Sequence, residues 1–594
     1  MTLIDLVEHG LNKSQILAIN TPGSVFLSAC PGSGKTRTLA FKIAVALTNL
    51  ETSKKYIVAI TYTHRAADEI LERIEALGLD TSRLWIGTIH SFCLEWILRP
   101  YAIYEPRLES GFTIINQPDT ERILEEICST VSDQRISTYD CNYHFMDGKV
   151  ALLCNDLSKH ANIRKVLRTY FSILKENRQI DFELILYFAE KILTSHPVIP
   201  RTLSEVFELI ALDEYQDTKF IQYSILFSIY KSGNGKTKAF VVGDPNQAIF
   251  ESLGGHAIAY AEFKKRSQLD VTELSLNQNY RTSQNLVDYY SNFQVVKAAT
   301  IAEGENKNHK SLIVWDKDLP SSQLEERVCN LIDFCLKDLK CTEEEICIVG
   351  PQWPSLAALT RRLMAKRPEY RFNGPGMIPF GRELDNFWYK LSRICLSEPA
   401  PDMYIRRMRW ATEILSSLSD AGCDCPLSNK ELLRELNQVT SNESDGLRYL
   451  EHYFASFLEI VDIIDITSYP DLDQHYQSFF ESSRKKITKA KKDGLDLIEG
   501  IEFFKRAFKP RAGITISTIH GIKGAEFENV ISFSLLEGLV PHWAAKRSTD
   551  SANKLLYVVC SRAKKNLFLI SEAKTHKSPT KVLSGVKFLY DTGV

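Results

Sequence analysis

Two short polar segments of this chain each follow an apolar run and contain residues suited to phosphate chemistry. The first is ACPGSGKT, residues Ala29–Thr36. Gly32 and Gly34 would let the backbone wrap closely around an anion, Lys35 adds positive charge, and the Thr36 hydroxyl can bind Mg²⁺. This segment therefore predicts a phosphate-binding loop at the start of a helix.

The second segment, LDEYQDT, places Asp213 and Glu214 directly after the apolar run ELIAL. Such a pair is either a solvated turn or, beside a phosphate loop, a metal ligand followed by a general base that deprotonates water. Ala29 stands where the strict phosphate-loop pattern has its first glycine, so a glycine turn with an unrelated lysine is the alternative for the first segment. We predict that Asp213 binds the metal, that Glu214 is the base, and that together they hydrolyse a nucleoside triphosphate.

Buried strands that alternate with helices must position these segments. The predicted strands of the first half are SVFLSA (Ser24–Ala29), KYIVAITYT (Lys55–Thr63), ELIAL (208–212) and AFVVG (Ala239–Gly243). This alternation favours an open parallel sheet, in which ligands bind beyond the carboxyl ends of the strands. The alternation starts again at Ser311, with SLIVW, EICIVG, GITISTIH and NVISFSLL.

Helix-rich stretches interrupt both α/β parts, which predicts an α/β fold with two parallel-sheet cores that each carry a helical insert. The expected boundaries are 1–93 and 189–292 for the first core, 94–188 for its insert, 293–385 and 506–594 for the second core, and 386–505 for its insert. The basic run RKKITKAKK (Arg484–Lys492) in the second insert is either a solvated helix face or a contact to duplex phosphates.

Composition narrows the class of protein. A chain of 594 residues predicts several domains, and a net charge of −2 means that any nucleic-acid path must come from local patches. We expect no signal peptide, because the N-terminus is acidic and lacks an apolar stretch, and no membrane span, because charges break the apolar runs. The 13 cysteines are scattered, as is typical of reduced thiols in the cytoplasm, and Cys423 and Cys425 have no second pair for a zinc site.

The two opening segments, together with eight others in the same order, resemble the UvrD/Rep/PcrA-type superfamily 1 DNA helicases. The other matching segments are LNKSQILAI, AITYTHRAADEILERI, GTIHSFC, VVGDPNQAIF, LNQNYRTSQNL, ISTIHGIKGAEF, EGLVPH and LLYVVCSRAKKNLFL. They span nearly the whole chain. In the second of them Tyr62, His64 and Arg65 replace the Phe, Asn and Lys of the family pattern.

The resemblance implies two RecA-like cores that bind and hydrolyse ATP with Mg²⁺. The implied catalytic residues are Lys35, Asp213, Glu214, Gln247, Arg281 and Arg562. The implied nucleotide-binding residues are Gln15, Gly32, Ser33, Gly34, Lys35, Thr36, Arg37, Tyr280 and Glu526, with Thr36 and Asp213 on the metal. In the family pattern Gln15 reads the adenine, Tyr280 stacks on the base, Gln247 and Arg281 reach the γ-phosphate, and Arg562 is a second arginine finger.

The resemblance also implies that single-stranded DNA crosses both cores and is tracked from 3′ to 5′. The implied DNA-binding residues are Tyr62, Thr63, Thr88, His90, Phe250, Thr518 and His520. The chain departs from the family pattern at Ser252 and Leu253, which replace a DNA-stacking Trp and an Arg, and at Ser551–Lys554, which replaces acidic and arginine pairs. We therefore expect that single-stranded DNA is bound more weakly, or that Tyr62 and Phe250 stack on its bases instead. The alternative for these two aromatic residues is packing in the core.

Two functions are compatible with these motifs. The first is an ATP-dependent 3′–5′ DNA helicase or translocase that acts on single-stranded and tailed duplex DNA in repair or anti-phage defence. The second is a DNA-responsive regulatory ATPase subunit that controls a separate nuclease and unwinds little, similar to the helicase-like subunit of two-gene defence systems such as Gabija.

Overall fold

The computed structural model describes residues 9–594, apart from 51, 53, 147, 375–377, 382–385, 493–495, 509–512, 544, 546–547 and 574–576. Residues 1–8, on which the prediction of no signal peptide partly depends, lie outside the described residues. The chain forms two compact units. The first unit contains Met1–Asp318, Lys523–Glu526 and Ser534–Gly593, and the second contains Leu319–Ile522 and Phe527–Phe533.

The first unit is built on a sheet of six strands, all parallel to their neighbours. From one edge to the other their order is Val271–Leu276, Ser24–Ala29, Lys238–Gly243, Phe207–Leu212, Tyr56–Thr61 and Leu84–Thr88. The four inner strands are those that the sequence predicts. The two edge strands are not predicted, since their buried and exposed positions do not form a long apolar run.

Both faces of this sheet are covered, because successive side chains of a strand point to opposite faces. Val25, Leu27 and Phe240 pack against the helices Lys35–Thr48 and His64–Glu75. Side chains of the alternate positions, such as Phe26 and Val241, belong to a second apolar cluster that continues into the helical insert. The inner strands are therefore buried on both faces, while the edge strand Val271–Leu276 keeps exposed polar residues.

The insert of the first unit is mainly helical. Its helices include Gln117–Ser129, His160–Glu176, Phe182–Ser195 and Val198–Val206. Two short strands, Tyr143–Met146 and Lys149–Leu152, form an antiparallel hairpin, and Thr113–Ile114 pairs in parallel with Gln179–Ile180.

The remaining elements of the first unit come from both halves of the chain. The helices are Lys13–Asn20, Ile89–Cys93, Arg99–Tyr101, Phe220–Gly233, Tyr260–Ser267, Gln284–Ser291, Ser548–Cys560 and Lys581–Ser584. The strands Ile313–Pro320 and Ala563–Ala573 are neighbours, and Gln278–Asn279 pairs in parallel with Ile301–Ala302.

The second unit has its own parallel strands and its own helical core. The strands lie in the order Phe527–Ser532, Ile346–Gly350, Ile514–Thr518 and Phe372–Asn373. The helices are Leu324–Lys337, Trp353–Lys366, Phe387–Cys395, Tyr404–Asp420, Asn429–Leu436, Gly446–Ile460, Pro470–Lys492 and Ile501–Arg506. The last six share one aromatic-rich core around Trp388 and Phe454.

The basic run of the second unit lies on the long helix Pro470–Lys492. Ser483, Ile487 and Ala490 are buried along one side, and the basic side chains between them are exposed. Arg484 pairs with Glu451, which neutralises part of the run.

These two parallel α/β sheets with their helices confirm the predicted fold class. All 13 cysteines are free thiols. Within the described ranges, no group of three metal-ligating side chains is found, and no helix is long and apolar enough to cross a membrane.

Candidate functional site

The predicted phosphate loop lies where the strand Ser24–Ala29 meets the helix Lys35–Thr48, at the carboxyl end of the sheet. Gly32 and Gly34 both have positive φ, which glycine adopts without strain. Gly34 is the N-cap of the helix and makes no side-chain cap, so the first helical amides are open to an anion. The buried Ser33 hydroxyl donates to Cys30 O at 2.7 Å and fixes the turn.

The acidic pair follows the strand Phe207–Leu212 at the same edge of the sheet, because the strands are parallel. Asp213 is buried, and its Oδ1 accepts from the Glu214 amide at 3.0 Å. Glu214 has the left-handed conformation, with φ 51°, which is uncommon for a residue with a side chain. Its Oε1 lies 3.9 Å from Lys35 Nζ, so the structure brings the phosphate loop and the acidic pair together.

The two carboxylates differ in their electrostatics. Burial, and then the charge of Glu214, raise the pKa of Asp213 to about 7. Burial also opposes ionisation of Glu214, but Lys35, Lys523 and Arg562 outweigh it and hold the Glu214 pKa at about 2. The surroundings thus favour the ionised form of Glu214 and disfavour that of Asp213, whose negative charge a bound cation would stabilise.

Gln247 connects the acidic pair to an arginine from the far end of the sequence. Gln216 donates to Glu214 and accepts from the Asp244 amide at 2.9 Å, and Gln247 Nε2 donates to Asp244 Oδ2 at 2.8 Å. Arg562 Nη2 then donates to Gln247 Oε1 at 2.8 Å. Burial lowers the Arg562 pKa only to about 10, so its guanidinium stays charged at neutral pH.

A second arginine lies against the phosphate loop. The Tyr280 amide donates to Gly32 O at 2.9 Å, and Arg281 forms an ion pair with Glu526. A side chain at position 32 would lie 2.7 Å from Arg281 Cβ, so only glycine fits there. Arg281 and Glu526, both implied by the resemblance, are therefore at the loop.

The predicted base-binding residues lie on the outer side of the loop. Gln15 Nε2 donates to Ser33 O at 2.9 Å, and Tyr280 is 41% exposed with its hydroxyl accepting from Asn12 Nδ2 at 2.8 Å. Arg37, from the first turn of the helix, donates to His9 O. We call these groups, with the loop, the acidic pair, Gln247 and the two arginines, the nucleotide edge.

Four predicted DNA-binding positions lie at the carboxyl ends of two adjacent strands of the same sheet, Tyr56–Thr61 and Leu84–Thr88, and we call them, with Phe250, the strand face. Tyr62 is 45% exposed and stacks on Phe250, with ring centroids 5.1 Å apart. Thr63 and Thr88 are N-caps that accept from the Ala66 and Ser91 amides at 3.2 and 3.3 Å.

His90 is the remaining member of the strand face. Its ring lies edge-on to Phe182 with centroids 5.5 Å apart, and its buried Nε2 has no hydrogen-bond partner among the residues that the structure describes. Burial, and then the charge of Lys219, lower the His90 pKa to about 4, so the ring is neutral at neutral pH.

Lys523 joins the strand face to the nucleotide edge. Its ammonium lies 5.3 Å above the Phe250 ring, donates to Gln247 O at 2.8 Å and forms an ion pair with the buried Asp217. Ser252 and Leu253, in the short turn after Phe250, are exposed. The Phe250 ring is therefore in contact with both the Lys523 cation and the Tyr62 ring.

Thr518 and His520 belong to the second unit. Thr518 Oγ1 accepts from the Gly521 amide at 3.0 Å, and the His520 side chain is exposed.

Two stretches of the chain match known protein families. The description "UvrD/REP helicase N-terminal domain" matches residues 11–268, and "UvrD-like helicase C-terminal domain" matches residues 471–574. Together these stretches cover more than half of the chain. The chain belongs to the UvrD/Rep helicase family.

Members of the UvrD/Rep family are ATP-dependent DNA helicases, and this chain is such an enzyme. It is 22% identical to ATP-dependent DNA helicase PcrA of Leuconostoc citreum over 95% of this chain and 82% of the relative. It is 23% identical to PcrA of Bacillus subtilis over 94% of this chain and 82% of the relative. The PcrA of Staphylococcus epidermidis is 24% identical over 94% of this chain and 83% of its own length.

The residues fit a magnesium ion with a bound triphosphate. Mg²⁺ prefers oxygen ligands and is bound by one or two protein oxygens together with substrate phosphates. Asp213 supplies a carboxylate whose charge is destabilised by burial, and Thr36 supplies a hydroxyl in the first turn of the helix after the loop.

Three polar residues whose roles the motif spacing does not predict hold the site of this UvrD/Rep helicase together. Asn279 Nδ2 donates to Pro31 O at 2.8 Å, and its Oδ1 accepts from the Arg281 amide at 2.7 Å. Asp217 pairs with Lys523, and Asp244 holds Gln247. All three lie inside the quoted motifs, and their buried contacts, which sequence spacing does not give, define their roles.

Proposed function

We propose that this protein is an ATP-dependent 3′–5′ DNA helicase or translocase of the UvrD type. The observation that carries the proposal is the chain of contacts from Lys35 and Glu214 through Gln247 to Arg562. It joins a phosphate loop and a general base to an arginine that can sense the γ-phosphate. We propose further that residues 1–93 and 189–292 form one RecA-like core, 293–385 and 506–594 the other, and 94–188 and 386–505 their inserts.

In this proposal the loop amides and Lys35 bind the phosphates of ATP, while Thr36 and Asp213 hold the metal. A bound Mg²⁺ would supply positive charge against the negative charge that develops on the transferring group. Glu214 is ionised and 3.9 Å from Lys35, so its carboxylate can orient the attacking water and take its proton. Arg281 and Arg562 offer positive charge where negative charge increases during transfer.

We also propose that Tyr62 and Phe250 bind single-stranded DNA and respond to ATP binding and hydrolysis. Stacking on bases is tolerant of sequence, as a translocating protein needs, because every base has a π-face. Lys523 contacts both Gln247 O and the Phe250 ring, so a change around the γ-phosphate reaches the strand face through one side chain. The expected ligands are single-stranded and tailed duplex DNA, in repair or anti-phage defence in the cytoplasm.

The proposal is tested by ATP turnover with and without a single-stranded oligonucleotide. We expect turnover to rise when the oligonucleotide is added and to be lost in Glu214→Gln under both conditions. Glu208→Gln is a matched control, since Glu208 lies in the strand that leads to Asp213 and pairs at the surface with Lys238. ATP turnover that is the same with and without the oligonucleotide would contradict the proposal.

The exposed Ser252 and Leu253 favour a second candidate, a DNA-responsive regulatory ATPase subunit. Leu253 is 50% exposed, and neither residue offers the base stacking that is worth about 1–3 kcal/mol per base. Such a subunit would bind DNA, hydrolyse ATP and control a separate nuclease with little unwinding. Strand displacement that requires a co-purified nuclease, together with nuclease activity that depends on Glu214, would favour this candidate.

A further inference from the structure

An ion pair within the first unit links the strand face to the helix that leads to Arg562. Lys554 lies in the helix Ser548–Cys560, is only 9% exposed, and forms an ion pair with Glu251. Glu251 begins the short turn that directly follows Phe250. Because a buried cation that loses its partner is strongly destabilised, this contact fixes the turn to the helix.

Both ends of the segment 247–251 are thus held by cations from the C-terminal part of the chain. At the nucleotide edge, Arg562 donates to the Gln247 side chain at 2.8 Å. At the other end, Lys554 holds the residue after Phe250. Arg562 comes shortly after the end of the helix that contains Lys554, so a displacement of this helix acts on both ends of the segment.

The turn itself is stiff. Phe250 O accepts from the Leu253 amide at 2.9 Å and from the Gly255 amide at 3.1 Å. Gly254 has a φ of 92°, in the left-handed region that favours glycine. A pull on Glu251 is therefore passed to Phe250, and from Phe250 to the Tyr62 ring that stacks on it.

The two departures from the family pattern meet in this contact. One is the segment after Phe250, where Ser252 and Leu253 replace a Trp and an Arg, and the other is Ser551–Lys554. In this chain the acid is on the turn and the base is on the helix. The pair is a feature of this chain that the family motifs do not supply.

We propose that Glu251 and Lys554 are a positioning pair that couples the nucleotide state to the grip of Tyr62 and Phe250 on single-stranded DNA. The inference rests on the proposed function, in which these two aromatic residues contact the strand. In this proposal the pair acts on Tyr62 and Phe250 through the turn and is not itself a ligand of nucleotide or DNA. Their effect is on the ratio of two affinities, which is a coupling between sites.

The experiment measures the dissociation constant of an oligothymidylate in the presence of Mg²⁺ with either ADP or a non-hydrolysable ATP analogue. We expect the two constants of the wild type to differ by at least about fivefold, the lower range of typical couplings. Glu251→Lys and Lys554→Glu should each bring the ratio to within about twofold of one, and the double charge reversal should restore it. The matched control makes the same two single charge reversals and the double reversal in the exposed pair Glu205 and Lys236, and these should leave the ratio unchanged.

The charge-neutral variants Glu251→Gln and Lys554→Met, which keep the shape of the side chains, decide the question if a reversal prevents folding. In these variants the ratio of the two dissociation constants should also approach one, while thermal unfolding remains cooperative. Three results would each contradict the proposed role of the pair. They are a wild-type ratio of one, single variants that keep the wild-type ratio, and a folded double reversal that does not recover this ratio. A wild type that binds no oligonucleotide would instead contradict the proposed function.

Discussion

The nucleotide edge and the strand face lie at the carboxyl ends of one sheet but are built in different ways. At the nucleotide edge Asp213, Gln247 and Arg562 are buried, and hydrogen bonds connect the edge from the acidic pair to Arg562. On the strand face Tyr62 is 45% exposed and is held mainly by one ring contact.

This difference follows from what each region binds. Phosphoryl transfer requires charges at fixed positions in a site that excludes water, so its residues are buried and mutually constrained. A surface that moves along single-stranded DNA must release and rebind many bases, so exposed side chains that stack on the bases are sufficient for binding. Substitutions should accordingly have large effects on chemistry at the nucleotide edge and moderate effects on affinity at the strand face.

The largest expected effect is at Arg562. Arg562→Ala should lower ATP turnover about 10³- to 10⁵-fold, because this guanidinium meets charge that develops in the transition state. Arg281→Ala should also reduce turnover more than ATP affinity. Steady-state turnover and nucleotide binding measure the two effects, and Arg73→Ala, at an exposed arginine paired with Glu69, is the control. Near-normal turnover in either variant would remove that arginine from catalysis.

Glu214→Gln should lower turnover about 10²- to 10⁴-fold while ATP still binds, because Asp213 and the loop are intact and only the base is lost. Single-turnover hydrolysis with a parallel nucleotide-binding titration measures this separation. If ATP affinity falls as much as turnover does, Glu214 serves binding and is not the base.

At the strand face, Tyr62→Ala should weaken single-strand affinity by about 1–3 kcal/mol and reduce stimulation of the ATPase by DNA. Its DNA-free turnover should change much less. Tyr139, 84% exposed in the insert, offers a matched Tyr→Ala control. A core aromatic would behave differently and cost about 3–5 kcal/mol of stability, so an early melting transition together with loss of both activities would make Tyr62 structural.

The smallest expected effect concerns His90, whose pKa is lowered to about 4 by burial and then by Lys219. The folded state favours the neutral ring, so this contribution to stability is complete above the unfolded pKa of about 6.5 and is lost as the pH falls towards 4. When the pH is lowered from 7 to 4, the free energy of unfolding of the wild type should therefore fall by about 1–3 kcal/mol more than that of His90→Gln. Equal losses, measured by denaturant unfolding, would show that His90 protonates freely.

The sequence predicts more of the nucleotide edge than of the strand face. Lys35, Asp213 and Glu214 follow buried strands with strong apolar runs, and parallel strands bring such residues to one edge without further information. The roles of Asn279 and Asp244 depend on contacts between segments far apart in the chain, and spacing does not give those contacts.

The strand face is harder to predict because its residues have weaker local signals. A Tyr or Phe after a strand is compatible with a core position or with an exposed one, and only the structure shows that Tyr62 is 45% exposed. The sequence does not predict the edge strands Leu84–Thr88 and Val271–Leu276 for a related reason, since partly exposed strands lack a continuous apolar run. It also does not predict the hairpin at Tyr143–Leu152, which lies in a segment that predicts helix.

Strand displacement on duplexes with a 3′ or a 5′ single-stranded tail tests the central claim most directly. We predict ATP-dependent displacement from the 3′-tailed duplex by the purified chain, little displacement from the 5′-tailed duplex, and none with Glu214→Gln. Preference for the 5′ tail would contradict the proposed polarity. DNA-stimulated ATP hydrolysis without displacement from either duplex would contradict the helicase proposal and favour the regulatory ATPase.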